Sequence, residues 1–173
     1  MCPQSRFSSG SGFTLIELVV VITVLSLVVL LVIPKFPETK SARLRSSARS
    51  FAAAVRYLGD RAVTVKISYR MHLNLADGTV SVNRINASGE EAPTDDPFLS
   101  RGFLADGVVV EDVELQRLGK VVEGEVTIDF GGSGLEEFMI IHLRGAGSAH
   151  FTVMAFPQNG KVKVLEGYKE FTL

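Results

Sequence analysis

Hydrophobic and polar positions fall into three regimes along the chain. From Phe13 to Ile33 there is almost no polar position: 21 residues, mostly Val, Leu and Ile, interrupted by Thr14, Glu17, Thr23 and Ser26. As a helix rising about 1.5 Å per residue, this run spans roughly 30 Å, the thickness of a hydrocarbon bilayer core. Core helices of globular proteins are rarely apolar on every face, so the pattern predicts a membrane-spanning helix. The three hydroxyls can bond back to their own helix carbonyls. Pro34 and Pro37 then interrupt the helical register and predict a kink or a loosened turn. A second helical pattern runs from about Ser41 to Ala62, where Leu44, Ala48, Phe51, Val55, Leu58 and Ala62 recur four and three residues apart and form one stripe. The stripe predicts a helix packed on a sheet; a coiled coil would need a longer run than its roughly three heptads.

From Val63 the period changes to two. Val65, Ile67, Tyr69, Met71, Leu73 and Leu75 alternate with Lys66, Ser68, Arg70, His72 and Asn74, the signature of a half-buried strand. Asp77-Gly78 turns it into Thr79 to Ile85. Further strands are expected at Val108 to Leu115, Val121 to Phe130, Phe138 to Leu143, His150 to Phe156 and, after the Gln158-Asn159-Gly160 turn, Lys161 to Leu165. Gly131 to Gly134 reads as a flexible turn and Asn86 to Pro97 as an exposed loop. The predicted fold class is α+β. A long N-terminal transmembrane helix extends into a helix packed on an antiparallel β-sheet or β-sandwich head. The expected boundaries are 1–12 for a polar leader, 13–33 for the transmembrane helix, 34–62 for the helix continuation and 63–173 for the β-rich head.

Composition narrows the function. Apolar residues are 46% of the chain, enough for one compact domain with its own core beyond the helix. The net charge of −1 argues against a bulk nucleic-acid binder or an acidic tail. Cys2 is the single cysteine, which excludes an intramolecular disulfide and a cysteine-rich metal site. No apolar stretch precedes it, against a lipid-modified cysteine. His72, His142 and His150 lack the spacing of a zinc site and read as structural or surface histidines. Asp95-Asp96 reads as solvated rather than as a calcium ligand pair. Glu136-Glu137 has no supporting acid–base partner. There is no phosphate loop and no nucleophile elbow, so the chain reads as a non-enzyme with no cofactor and no metal.

Glu17 is the position that chemistry must explain. A carboxylate inside a bilayer costs at least about 2.5 kcal/mol and needs a partner, or a wet interface close to the helix start. No basic side chain lies in the apolar run. An α-amino group on a neighbouring helix, created by cleavage before Phe13, would neutralise it on assembly. Gly12-Phe13-Thr14-Leu15-Ile16-Glu17-Leu18 resembles the cleavage and methylation motif of type IV pilins and type II secretion pseudopilins. The resemblance implies that a prepilin peptidase cuts after Gly12, that Phe13 is then N-methylated, that Glu17 acts in assembly, and that Pro34 marks a bend in the anchor helix. The helix Phe51-Ala-Ala-Ala-Val-Arg-Tyr-Leu, the hairpin at Asp77-Gly78 and the ending from Phe151 are similar to minor pseudopilins of the GspH and FimT group.

The resemblance implies a minor pseudopilin of a type II secretion system, building a periplasmic pseudopilus for protein export. Its partners would be other pseudopilins or pilins, the prepilin peptidase and inner membrane lipid. The chain would cross the bacterial inner membrane once, with its C-terminal domain in the periplasm. Charge alone argues the reverse: Arg6 precedes the apolar run, whereas Lys35, Lys40, Arg43, Arg45 and Arg49 follow it. The second helix's arginines read as a solvated face, with lipid headgroups or acidic partners as the alternative. The rival function is a type IV pilus minor pilin of the FimT kind, in pilus biogenesis or DNA uptake. There, Lys161 and Lys163 of Gly160-Lys161-Val162-Lys163 would contact nucleic acid in place of a Gly-Arg-x-Arg pattern. Lysine lacks arginine's fork, and edge-strand protection explains the same residues.

Overall fold

The computed structural model describes residues 14–32 and 38–171. Two compact units divide at Pro37 and Glu38. The first contains helix α1 (Leu15–Val32), capped where the Thr14 hydroxyl and carbonyl both accept from the Glu17 N–H, at 3.3 and 3.0 Å. Thr23 and Ser26 bond back to Val19 O and Ile22 O at 2.7 and 2.8 Å, as the sequence predicts. Thr14 differs: it stands one residue before α1 and accepts from the Glu17 N–H instead. Among the described residues no helix is long and apolar enough to cross a membrane. Both ends of the predicted 21-residue span, Phe13 and Ile33, lie outside the described residues.

The second unit starts with α2 (Glu38–Val65). Every residue of the predicted stripe is buried: Leu44, Ala48, Phe51, Val55, Leu58 and Ala62. Helix α2 packs on the strands Glu125–Gly131 and Gly134–Leu135 of one sheet and on His150–Phe156 and Lys161–Glu166 of another. It runs three residues past the expected end, Ala62, to Val65, and Lys66 then stops it in a left-handed conformation with φ of 54°. Val65 and Ile67, read as inward strand positions, are consequently exposed at the end of the helix and beyond it. A side chain bearing Cβ is strained at that φ. Lys66→Gly is therefore expected to gain up to about 1 kcal/mol, and Lys66→Val to lose about 1–2 kcal/mol, read from the urea midpoints of the two variants.

Among the described residues ten strands form two antiparallel five-stranded sheets. The first has the order β3 (Glu91–Pro93), β2 (Thr79–Ile85), β1 (Ser68–Asn74), β6 (Glu125–Gly131), β7 (Gly134–Leu135). The second runs β10 (Lys161–Glu166), β9 (His150–Phe156), β8 (Met139–Arg144), β4 (Val109–Leu115), β5 (Gly119–Val121). Tyr69, Met71, Leu73, Ile128 and Phe130 from the first sheet share one core with Val113, Leu115, Ile141, Leu143 and Val153 from the second and with α2.

The expected strand Val121–Phe130 is two strands in different sheets. The chain leaves the second sheet after Val121, turns at Gly124 with φ of 90°, and enters the first at Glu125. The expected exposed loop Asn86–Pro97 contains β3, held edge-on to β2 with Arg84 opposite Ala92. The glycine-rich turn is a tight β6–β7 hairpin. Gly134 has φ of 94° there, and a Cβ would lie 3.7 Å from the Gly59 carbonyl of α2.

Candidate functional site

Glu17 lies in the first turn of α1 with an exposed side chain. Its surroundings are apolar and equally exposed: Leu15, Ile16, Val20, Val21 and Val24 are each 45% accessible or more. A helix exposing this much apolar surface requires an apolar surrounding or a packing partner. Gly12, Phe13 and Pro34 lie outside the described residues.

Lys161 and Lys163 project from β10 on the exposed face, either side of buried Val162. Lys163 Nζ sits 5.6 Å from the Phe156 ring centroid. The outer edge of β10 is covered by α2, since Arg56 Nη2 donates to Val162 O at 3.0 Å. Protection of this edge falls to an arginine of the helix as well as to the strand lysines.

Residues 8–33 match the family described as the prokaryotic N-terminal methylation motif. Among solved structures, the minor pseudopilin EpsH from the Type 2 Secretion System of Vibrio cholerae is similar with a TM-score of 0.56 at 17% identity, over 72% of this chain and 97% of that one. The type IV minor pilin FimU of Pseudomonas aeruginosa gives a TM-score of 0.48 at 18% identity, over 75% of this chain and 92% of that one. No curated protein sequence matches the chain significantly. The methylation motif stands ahead of a head with a minor pseudopilin's fold. The chain is pilin-like.

The pilin-like head carries two charged clusters that sequence reasoning left as isolated residues. The first lies on the first sheet. His72 on β1 is held between Glu91 on β3 and Glu125 on β6, with Nε2 2.7 Å and Nδ1 2.6 Å from the carboxylates. Arg70 donates to both oxygens of Asp129, at 2.6 and 2.9 Å, and to Glu91 at 2.9 Å. Asn83 also donates to Glu91, at 2.9 Å. Partial burial alone would lower the His72 pKa, but the bonds to Glu125 and Glu91 outweigh it and raise the imidazole above its ordinary 6.5. The bonds from Asn83 and then His72, with Arg70 after them, hold Glu91 down at about 2.

These shifts set a pH window. A raised histidine pKa contributes stability that is fully present below 6.5 and fades as pH rises through the folded value. A lowered Glu91 contributes stability that is present above 4.5 and lost as pH falls toward 2. The cluster is expected to stabilise the head most between about pH 4.5 and 6.5. His72→Gln should remove the decline above pH 6.5 while leaving the acid limb, as measured by urea midpoints across pH. An unchanged upper limb would show that His72 does not titrate against these carboxylates.

The second cluster is buried. His142 Nδ1 lies 2.6 Å from Asp112 Oδ1, and His142 Nε2 lies 3.0 Å from the Lys169 carbonyl. A carbonyl only accepts, so His142 Nε2 donates to it. Tyr168 donates to Asp112 Oδ2 at 2.8 Å and stacks on His142 with centroids 3.8 Å apart. Lys120 bonds to the Tyr168 hydroxyl. Thr152 donates to Gly167 O at 2.8 Å and accepts from Lys169 N at 3.0 Å. Together these bonds fasten residues 167–169 over the outer face of the second sheet. Among the described residues no group of His, Cys, Asp or Glu side chains has metal-site geometry.

Asp95 is exposed as expected, but Asp96 is not simply solvated. It accepts from the Tyr57 hydroxyl at 2.5 Å and the Phe98 N–H at 2.9 Å, with Arg61 Nε at 3.5 Å. The Tyr57 bond comes first among the interactions that lower its pKa. Asp96 thereby fixes the start of the 94–108 segment against α2. Phe98 packs at a tilt against Tyr57, Leu99 and Phe103 are buried, and Ser47 Oγ accepts from the Ala105 N–H at 2.9 Å.

Proposed function

We propose that this pilin-like chain is a minor pseudopilin of a type II secretion system, built into a periplasmic pseudopilus for protein export. One observation carries the reading: a methylation motif is joined to an exposed apolar helix and to a head with the fold of a secretion pseudopilin. In this reading a prepilin peptidase removes residues 1–12, and Phe13 becomes the methylated N-terminus. The helix 13–33 anchors the chain in the inner membrane, with the head in the periplasm. On assembly the helix leaves lipid for a bundle of like helices, where the Glu17 carboxylate meets the α-amino group of a neighbour. Both charges are expensive in an apolar bundle when alone and far less so when paired. Pro34 permits a bend between anchor and head. The chain acts as a structural subunit and not as an enzyme.

The rival, a minor pilin of the FimT kind acting in pilus biogenesis or DNA uptake, would use Lys161 and Lys163 as phosphate contacts. Two exposed lysines beside one aromatic ring are a small electrostatic footprint, and covering the strand edge explains them as well.

Crosslinking in the native cell, followed by mass spectrometry of the purified protein and its neighbours, separates the two. A chain beginning at methylated Phe13 and crosslinked to secretion pseudopilins supports the first reading. The same start with type IV pilus or DNA-uptake partners supports the rival. An intact Met1 without pilin-like neighbours overturns both. Gly12→Lys is expected to leave the chain at full length on a denaturing gel, because a long charged side chain does not suit a peptidase site built for glycine. Normal shortening would place the cut elsewhere.

A further inference from the structure

The head has a basic groove that the proposed function does not employ. Ser41, Arg45 and Arg49 are spaced four apart on α2 and lie above one another on one helix face. Arg101, from the segment that Asp96 fixes against α2, faces them. With Ser50 and Phe98 these residues line a groove of about 750 Å³ with no carboxylate in its wall. The arginine ion pairs among the described residues are those of Arg45, Arg61, Arg70, Arg117 and Arg144, so Arg49 and Arg101 have none. Arg45 reaches Glu166 at 3.3 Å, but with the two side chains 51% and 72% exposed this pair is weak and readily exchanged. The Arg101 guanidinium lies 4.3 Å above the Phe98 ring, which fixes its plane and leaves its N–H edges available.

The charge here is locally concentrated. From Glu38 to Ala53 the chain carries Lys40, Arg43, Arg45 and Arg49 against Glu38 alone, in a protein of net charge −1. Basic residues following an anchor favour retention on the cytoplasmic side. Their presence on a head carried across the membrane works against insertion, so they need a return elsewhere. We propose that this groove binds the phosphate headgroup of an anionic phospholipid in the membrane that anchors the chain. The proposal rests on the reading of residues 13–33 as that anchor. Ser41, at one end of the groove, follows Ile33 by eight residues, so even a fully extended chain keeps that end within roughly 28 Å of the anchor's end. The lipid surface is therefore present at high effective concentration. Guanidinium forks match phosphate oxygens in pairs, the serine hydroxyls add donors, and the Phe98 wall suits the glycerol and first methylenes. While the subunit waits in the membrane, this contact would hold the head against the bilayer surface, and extraction into a filament would break it.

The test uses the full chain in non-ionic detergent, with bound lipid counted by native mass spectrometry. The probes are dimyristoyl phosphatidylglycerol, dimyristoyl phosphatidylcholine, inorganic phosphate and a single-stranded oligonucleotide. Phosphatidylglycerol is expected to bind in preference to phosphatidylcholine. R49A/R101A should weaken it about tenfold, and R49K/R101K should fall between, because charge remains but the fork is lost. R84A/R144A removes the same charge elsewhere and should bind like wild type. Equal binding by R49A/R101A and wild type overturns the groove assignment. Displacement by inorganic phosphate at the lipid's own concentration makes this a free-anion site, and preference for the oligonucleotide makes it a nucleic-acid site; either overturns the lipid. The anchor is tested separately by alkaline washing of membranes: release of the wild-type chain would sink the anchor reading, whatever the lipid counts show.

Discussion

Asp112→Ala is expected to destabilise the head by about 2–5 kcal/mol, because it removes a buried acceptor that two side chains share. Asp112 and His142 are 2% and 1% accessible, so water cannot replace the lost oxygens. The substitution strands His142 Nδ1 and the Tyr168 hydroxyl together, because Asp112 accepts from both at 2.6 and 2.8 Å. Burial already holds the Tyr168 phenol above its ordinary pKa, with the bond to Asp112 adding to the effect, so the hydroxyl keeps its proton and continues to need an acceptor. The same loss should loosen residues 167–169, which lie over the pair.

The contrasting variant is Asp112→Leu/His142→Leu, which removes both polar groups. Apolar replacement of a whole buried pair is often close to neutral, so the double variant should be more stable than Asp112→Ala by about 1–4 kcal/mol. Urea unfolding in detergent, followed by tyrosine fluorescence, measures both, since the chain has no tryptophan and its three tyrosines all lie in the head. Limited proteolysis near Lys169 reports the loosened tail. A cost below about 1 kcal/mol for Asp112→Ala would mean that the pair is solvated and that the tail is held by Thr152 and Gly167 instead.

The sequence disclosed most where one periodicity governed both burial and backbone. The α2 stripe is complete because a 3.6-residue repeat fixes which face meets the sheets. Thr79–Ile85 and His150–Phe156 keep their expected ends because turn signals bound them. Reading failed where the chain changes sheets. Val121 and Val126 are both apolar, so the alternation gives no sign that residues 122–124 pass from one sheet to the other. Exposed Val122, at 59%, hides the turn that positive-φ Gly124 makes. Strand β3 falls within an expected loop because what holds it is assembled across sequence: Glu91 gathers Asn83, Arg70 and His72 from two other strands.

The buried pair had a signal that could have been used. Met139 to Leu143 are all buried, a run without alternation, which marks a strand covered on both faces. A histidine inside such a run must have a buried partner. Spacing could not name Asp112 as that partner, since the antiparallel register of β4 with β8 places it opposite His142 only after folding. The basic groove was half visible: Arg45 and Arg49 share a helix face in sequence, whereas Arg101 joins them through the packing of a segment with no regular structure. Of the motif residues, Glu17 can be placed on α1, and Gly12, Phe13 and Pro34 lie outside the described residues.

Glu17→Val is expected to leave membrane insertion intact and to cut incorporation into the filament by between roughly a hundredfold and a few thousandfold. Insertion should become easier, because an apolar side chain removes the cost, at least about 2.5 kcal/mol, of a carboxylate in the bilayer. Assembly should fail for the opposite reason: the neighbour's α-amino group enters the helix bundle with nothing to neutralise it, a penalty of about 3–5 kcal/mol. The effect is therefore opposite in sign at the two steps, which a merely destabilising substitution would not produce. Glu17→Gln separates charge from shape, retaining hydrogen-bonding capacity but not the ion pair, and should fall nearer to Val than to wild type. Quantitative blotting of the membrane fraction and of crosslinked pseudopilin assemblies reads both steps in one experiment. Equal membrane levels with depleted filaments would mean that the carboxylate acts between subunits. Wild-type incorporation of Glu17→Val would mean that Glu17 sits in the wet interface near the helix start, and that the helices associate through their apolar faces alone.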